Sequence, residues 1–301
     1  MKKLFLLILT FYCTTLFAQN NSDMKAIVYT LASDSMQGRE AGSSGEMKAK
    51  DYILNYCKNI GLTSFNGSYI QKFPFKKDVR TDTAMNIIGM IDNKADSTIV
   101  IGAHYDHIGL GGIKSKSLTS SKIHPGADDN ASGVAIMISL ATQLKKQASK
   151  KYNYLFVAFS AEEEGLYGSE AFVNMIKDKM KVKAMFNLVM MGRLDEREPT
   201  LKITRHSYDN KYDSVLIKAA ATKFQLHITD ENISFTDAGA FTNNGICALS
   251  FTTGMEDDYH KTSDTADKIN YAGMAVIAGY LDDCIYTICN PGSHTVNYIL
   301  K

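Results

Sequence analysis

Residues 98–107 read Thr98-Ile99-Val100-Ile101-Gly102-Ala103-His104-Tyr105-Asp106-His107. The first four are β-branched, as expected of a strand that is covered on both faces. A second apolar run covers residues 154–159 and passes directly into Ser160 and an acidic segment. The sequence therefore predicts buried strands that end in loops carrying imidazole or carboxylate groups.

Helical patterns alternate with these strands. Residues 131–146 place apolar side chains on one face of a helix, and a second long apolar stripe runs through residues 265–288. Further strands are predicted at 184–190, 201–204 and 248–251, with a helix at 212–224. Because strands and helices alternate along the chain, we predict one α/β domain with a largely parallel sheet.

The chain length and the balance of charged residues indicate the domain size and the kinds of partner to expect. The 301 residues suffice for one large domain with a buried core. The 33 Lys and Arg residues nearly balance 32 Asp and Glu residues, so no strongly basic surface is available for nucleic acid or an anionic membrane. We therefore expect no nucleic-acid partner.

The first 18 residues predict a secretory signal peptide. Lys2 and Lys3 precede an apolar segment that ends at Ala18, where cleavage is expected. Residues 19–301 would then form a single domain that is secreted or periplasmic. No later segment reads as long and apolar enough to span a bilayer, so we expect no stable membrane anchor. The sequence does not predict an oligomeric state.

Four cysteines remain after this cleavage, at positions 57, 247, 284 and 289. An exported protein can form disulfides, but the spacing of these residues matches no metal-binding pattern. Cys284 lies on the apolar stripe of a predicted helix, where a buried thiol is as well explained as a disulfide. The disulfide pairing of the four therefore stays open.

The turn Gly126-Ala127-Asp128-Asp129-Asn130-Ala131-Ser132-Gly133 places two adjacent carboxylates before a helix. A helix N-terminus favours negative charge, so a capping role would explain one of them taken alone. Ligands of open α/β sheets bind outside the carboxyl ends of the strands, and imidazole with carboxylate ligands suits zinc. We predict a metal site there, because other loops carry matching groups: His104, Asp106, Glu162, Glu163 and His260.

Four motifs in this order resemble the zinc aminopeptidases of peptidase family M28. They cover residues 102–106, 126–133 and 161–169, followed by Tyr259-His260-Lys261-Thr262-Ser263-Asp264-Thr265. Gly38-Arg39, and Asp237 with Phe241, extend the likeness over most of the chain. The resemblance implies a phosphorylase/hydrolase-like zinc exopeptidase fold, which is a three-layer α/β/α architecture with a mixed, largely parallel central sheet.

The resemblance also implies which residues hold metal. Two zinc ions would share Asp129 as a bridging ligand. His104 would bind one of them, while Glu163 and His260 would complete the ligand set of the other. His107 is not part of this set, and we expect it to be structural.

Three further residues receive roles from the resemblance. Glu162 would be the general base that activates the zinc-bound water. Asp106 would support catalysis by orienting the imidazole of His104. Tyr259 would bind the substrate by steadying the oxyanion. The implied function is a secreted metallo-aminopeptidase that hydrolyses N-terminal residues from a peptide substrate.

One position departs from the family pattern. Residues 186–193 match a strand end at which the family carries an aspartate, but Val189 stands at that place. Valine has no lone pair to donate, so the zinc beside His104 would keep only His104 and Asp129 as protein ligands. We therefore expect one tight zinc site and a weakened second site.

Two alternative functions fit the same residues. A glutaminyl cyclase, a relative that uses one zinc on this fold, would accommodate Val189. An inactive homologue would keep the crevice only to bind peptides. Retention of Glu162 favours catalysis, and the turn at 126–133 resembles the peptidases rather than the cyclases. Side-chain specificity, and the choice among amino-, carboxy- and dipeptidase activity, are not predicted.

Overall fold

The computed structural model describes residues 22–117, 121–147, 149–221, 223–231 and 233–291. The predicted signal peptide lies outside these residues. Within them, a mixed sheet of nine strands is flanked by helices on both faces, which confirms the predicted α/β class. The strands are β1 Thr63–Ser64, β2 Ile70–Lys77, β3 Arg80–Ile91, β4 Thr98–His104, β5 Asn153–Phe159, β6 Val182–Leu188, β7 Thr200–Arg205, β8 Gln225–Thr229 and β9 Ala248–Thr252.

The strand order puts one set of strand ends at a common edge. Across the sheet the order is β1-β3-β5-β4-β6-β9-β7-β8, with β2 paired to β3. In the centre, β4 runs parallel to β5 and β6, and β6 runs parallel to β9. Antiparallel pairings of β3 with β5 and of β7 with β9 lie on either side. The carboxyl ends of β4, β5, β6 and β9 therefore meet at the same edge.

Side-chain alternation along the central strands produces two apolar layers. Along β5, Tyr154, Phe156 and Ala158 belong to the larger core, whereas the intervening Leu155, Val157 and Phe159 belong to a second core on the opposite face. This period of two follows from the pleat of a strand. A helix covers residues 22–31 (α1); the others are α2 Ser44–Ile60, α3 Gly133–Gln147, α4 Tyr167–Ile176, α5 Asp213–Ala220, α6 Asp237–Thr242 and α7 Tyr271–Cys289.

These helices divide between the two faces of the sheet. Residues of α2, α3, α5 and α7 pack in the larger core, and residues of α4 and α6 pack in the second. The three-layer arrangement is thereby confirmed. Helix α7 begins later than the predicted residue 265, because the side chain of Asn270 caps it by accepting the N–H of Gly273 at 2.8 Å.

Helix α7 corrects the expectation that no later segment has the length and composition of a membrane span. The helix has 19 residues, and its most apolar 18-residue window has a mean hydropathy of 1.3, so by length and composition it could cross a bilayer. However, 61% of its most apolar window is buried within the fold. Met274, Ile277 and Leu281 on its stripe belong to the larger core. The apolar character of α7 is thus explained by burial against the sheet and neighbouring helices.

The four cysteines whose pairing was left open are buried free thiols. Burial raises the pKa of Cys57, Cys247 and Cys284 to about 12. The sulfur of Cys289 lies 3.3 Å from the Tyr154 hydroxyl in the larger core. Because a thiol with a raised pKa is a poor nucleophile, these cysteines have a packing role in the described structure.

Candidate metal centre

Three side chains that are far apart in sequence meet at the edge formed by the carboxyl ends of the strands. Nε2 of His260 lies 3.3 Å from Oδ2 of Asp129 and 3.2 Å from Oε2 of Glu163. The other oxygen of Asp129, Oδ1, lies 3.3 Å from Nε2 of His104. Asp129 therefore faces a different imidazole with each oxygen, as a bridging carboxylate would.

Backbone carbonyls orient the two imidazoles. Nδ1 of His104 lies 3.3 Å from the carbonyl oxygen of Asp106, and Nδ1 of His260 lies 3.1 Å from that of Lys114. A carbonyl only accepts, so Nδ1 is the donor in both residues, and a neutral ring then presents the lone pair of Nε2 to Asp129. Nε2 of His260 and Oδ2 of Asp129 are buried and form no hydrogen bond. Two facing acceptors of this kind suit a shared cation.

The pKa shifts have the signs that a cation site requires. Burial lowers the pKa of His260, but the adjacent carboxylates of Asp129 and Glu163 outweigh burial and raise it to about 10. Burial raises the pKa of Glu163, but the adjacent imidazoles of His107 and His260 reverse this effect and bring it to about 2. The pKa of Asp129 is lowered for the same reason, against burial, by His104 and His260. The carboxylates thus hold positive charge on His104 and His260, and a divalent cation would replace those protons.

His107 requires a correction, because the structure places it in this cluster rather than in a purely structural position. Its Nδ1 lies 3.1 Å from Oε1 of Glu163 and 3.7 Å from Oδ2 of Asp129. One ligand atom each from His107, Asp129, Glu163 and His260 lies within 4.8 Å of the others. The sequence feature that could have indicated this position is that His107 lies in the same strand-end segment as His104 and Asp106.

Asp106 contacts different groups from those expected. Its carboxylate lies 3.9 Å from Nδ1 of His104, while its backbone carbonyl takes the closer position. The two carboxylate oxygens instead accept the backbone N–H groups of Glu162 and Glu163, each at 3.2 Å. Asp106 therefore holds the turn that presents both glutamates at the metal centre.

The Glu162 carboxyl lies in the field of several site charges. Burial raises its pKa well above the usual value; the charge of His104 opposes this rise, and those of Glu163 and Asp237 add to it. Asp237, at the start of α6, is fully buried, and neither of its carboxylate oxygens forms a hydrogen bond. The sequence had pointed to Asp237 only as part of a resemblance. The structure places it within electrostatic reach of Glu162.

Two other residues that sequence reasoning left without a role fix the turn at 126–133. The Asp264 carboxylate accepts the backbone N–H groups of Asp128, at 2.9 and 3.0 Å, and of Asp129, at 3.0 Å. Arg39 is completely buried and donates to the carbonyls of Pro125 and Gly126 and to that of Tyr105. Burial lowers the pKa of Arg39 to about 10, so it remains a cation near neutral pH. Arg39 thus ties the loop after β4 to the turn that carries Asp129.

Tyr259 and Val189 border the cluster. The Tyr259 ring stacks on the His260 ring with centroids 3.9 Å apart, and Lys116 lies 4.0 Å above the Tyr259 ring. Val189 directly follows β6. The residues on either side of it contact the turn at 126–133: the Asn130 side chain donates to the carbonyl of Leu188 and accepts the N–H of Met190. The valine therefore stands at a strand end next to the turn that carries Asp129.

The comparison with known families agrees with this geometry. The model of peptidase family M28 matches residues 86–282, which is well over half of the chain. The chain belongs to peptidase family M28. Members of this family are metal-dependent and typically use zinc, and the imidazole and carboxylate donors found here fit that ion.

Individual relatives differ in how much they share with this M28 chain. Aminopeptidase YwaD of Bacillus subtilis is 29% identical over 206 residues, covering 64% of this chain but only 42% of the relative. The fold matches an aminopeptidase from Aneurinibacillus with a TM-score of 0.69 at 18% identity, covering 89% of this chain and 93% of the other. It also matches Porphyromonas gingivalis glutaminyl cyclase with a TM-score of 0.72 at 17% identity, covering 88% and 97%. At these identities the structural matches establish the fold alone.

Proposed function

We propose that this M28 chain is a zinc-dependent aminopeptidase that removes N-terminal residues from peptides. The observation that carries the proposal is the meeting of Asp129, Glu163 and His260, with Glu162 adjacent to Glu163 on the turn that Asp106 holds. The name of YwaD adds support for aminopeptidase activity. Since the chain spans less than half of that relative, the activity of the whole relative is extended to this chain only as part of the proposal.

The proposed metal sites differ in strength. Asp129, Glu163 and His260 would hold one zinc ion, and His104 with Asp129 would hold a second more weakly because Val189 offers no ligand. Zinc, when bound, polarises a carbonyl oxygen and lowers the pKa of coordinated water towards neutrality. The orphaned Nε2 of His260 and Oδ2 of Asp129 supply the lone pairs that such an ion needs.

The two adjacent glutamates would have different roles, one in metal binding and one in proton transfer. The Glu163 carboxylate contacts His260 and His107, so it is engaged in the metal cluster. The Glu162 carboxylate would accept the proton of the attacking water on one oxygen and transfer it to the nitrogen of the departing peptide. Proton transfer of this kind contributes on the order of 10²–10⁴ to a rate. The carboxylate of Asp106 keeps both glutamates in place by holding their backbone N–H groups.

We also propose that the protein is exported. The supporting observation is the run of residues 1–18, with Lys2 and Lys3 before an apolar segment that ends at Ala18. N-terminal sequencing of the protein recovered from its own host tests this proposal. A mature chain beginning at Gln19 is expected, whereas retention of Met1 in the recovered protein would contradict it.

The decisive experiment is Glu162→Gln, with Glu164→Gln as the matched control. Glu164 belongs to the same acidic run but pairs with Lys114 at 2.8 Å. We expect Glu162→Gln to lower kcat for an aminoacyl-4-nitroanilide by about 10²–10⁴-fold with unchanged zinc content, because a general base is lost and no metal ligand is. The control should retain kcat within about threefold, since a partly exposed ion pair contributes little.

Two results would refute the proposal. Full activity of Glu162→Gln would refute the role of Glu162 as the general base. Unchanged activity after chelation would refute the need for a metal ion. Cyclisation of N-terminal glutamine is measured in parallel. Cyclisation without release of the anilide would identify a cyclase, and no turnover of either substrate would identify a binding protein.

A further inference from the structure

His107 is held rigidly against the metal cluster. Its backbone N–H donates to the carbonyl of Arg39 at 3.2 Å. Its ring lies over Gly126, where a Cβ atom would come within 2.6 Å of the ring, and it packs edge-on against His260 with centroids 5.5 Å apart. The side chain is essentially inaccessible to solvent. The position of Nδ1 is therefore set by the fold.

The contacts within the cluster are close to the spacing of neighbouring ligand atoms on one zinc ion. Zinc bonds to nitrogen and oxygen of about 2.0–2.1 Å place neighbouring ligand atoms about 3.3 Å apart. The pairs that involve His260 lie at 3.3 Å to Asp129 and 3.2 Å to Glu163. The pairs that involve His107 lie at 3.1 Å to the other oxygen of Glu163, Oε1, and at 3.7 Å to Oδ2 of Asp129. His107 thus lies where a fourth protein ligand would stand, and the water of the proposed reaction would then be a fifth ligand, a coordination number that catalytic zinc can reach.

The charges of the cluster agree with the same assignment, and no contact at Nε2 fixes the tautomer of His107. Two carboxylates with one divalent cation give a centre of zero net charge, which favours burial of the whole group. Nε2 of His107 is buried and makes no hydrogen bond, so no partner at Nε2 prevents the proton from residing there. Nδ1 can then offer its lone pair towards Asp129 and Glu163.

We propose that His107 is a fourth protein ligand of the metal ion held by Asp129, Glu163 and His260. This inference rests on the proposed function only in requiring that a metal ion binds there. It assigns two imidazoles to the tight site, whereas the family resemblance implies one. The competing interpretation is that His107 merely donates an Nδ1–H hydrogen bond to Glu163 and positions that carboxylate.

The test counts imidazole ligands directly. A His104→Ala parent confines zinc to the tight site, and X-ray absorption fine structure is recorded at one zinc per chain. Two imidazoles are expected in this parent and one after adding His107→Ala or His107→Asn. The asparagine amide can still donate to Glu163, so His107→Asn preserves a positioning role but removes the ligand.

Zinc affinity provides a second readout, measured by competition with a chromophoric chelator. Loss of a residue that only supports a ligand weakens metal binding about 10–100-fold, so we expect both variants at position 107 to raise the Kd about 100-fold or more. His124→Ala is the matched control because His124 is also buried but bonds to Ser115 and the Lys122 carbonyl outside the cluster. Its Kd should stay within threefold of the parent value.

The outcomes separate this inference from the proposed function. One imidazole in the His104→Ala parent, or parental affinity in His107→Asn, would overturn the inference while zinc-dependent hydrolysis by the unaltered protein still stands. Failure of the unaltered protein to bind zinc would overturn both. The parent spectrum needs no change at position 107, so the count stands even if a variant there fails to fold.

Discussion

Asp264→Asn should weaken zinc binding without removing a metal ligand. The carboxylate of Asp264 is only 2% exposed and accepts the backbone N–H groups of Asp128 and Asp129. These bonds set the direction of the turn from which Asp129 reaches the metal centre. Arg193 lies 3.5 Å from Oδ1 of the same carboxylate, an oxygen that also accepts the N–H of Asp128.

The magnitude follows from the change in hydrogen bonding. An asparagine whose side-chain oxygen takes the place of Oδ2 still accepts the N–H groups of Asp128 and Asp129, but as a neutral acceptor. Bonds to a charged group contribute about 1.5–3 kcal/mol and neutral bonds about 1 kcal/mol, so the pair loses about 2 kcal/mol. If the turn relaxes in the metal-free protein and reforms on metal binding, this loss raises the zinc Kd about 30-fold.

The assay is competition for zinc with a chromophoric chelator, together with urea unfolding in the presence and absence of EDTA. Asp258→Asn is the control because Asp258, in the same loop, bonds to Lys268 and Ser263 and shares Arg193 with Asp264, but makes no hydrogen bond to the turn. We expect the control to leave the zinc Kd unchanged. A Kd for Asp264→Asn within twofold of the unaltered protein would refute the proposed control of Asp129 through its backbone.

Two further substitutions test the number of bound zinc ions and the effect of the Asp282 carboxylate on stability. Val189→Asp should raise the tightly bound zinc from about one to two ions per chain, because it supplies a third protein ligand beside His104. The zinc content is measured by elemental analysis after gel filtration, and two tight ions in the unaltered protein would contradict this prediction. Burial raises the pKa of Asp282 to about 6, so the native state loses stability as the pH rises from about 4 to 6. Asp282→Asn should therefore raise the free energy of unfolding by about 2 kcal/mol at pH 7 and leave it unchanged below pH 4, as followed by urea titration at both pH values. Asp283→Asn is its control. It removes a charge that adds to the raised pKa of Asp282, but it also breaks the pair with Lys223 at 2.7 Å, so we expect no net stabilisation. An equal gain at pH 3.5 and pH 7 for Asp282→Asn would contradict the assigned cause.

Local patterns in the sequence were sufficient to predict the strands and helices and the α/β class of the fold. The β-branched run at 98–101 and the apolar run at 154–159 became the central strands β4 and β5, because their side chains alternate between two covered faces. The order of the motif-bearing loops predicted which edge of the sheet carries Asp129, Glu163 and His260. Their roles as metal ligands stay predictions, but their meeting at this edge follows from parallel strands that end together.

Tertiary structure alone decided how the loop side chains are directed. No periodic pattern applies to a loop, so the direction of a side chain depends on contacts with distant segments. His107 joins the cluster because Gly126 leaves room for its ring and Arg39 holds its backbone. The carboxylate of Asp106 turns to the backbone of the glutamate turn, and Asp264 holds the N–H of a residue 135 positions away. The types of the ligating residues are therefore a property of the sequence, whereas their number and aim depend on long-range hydrogen bonds and packing.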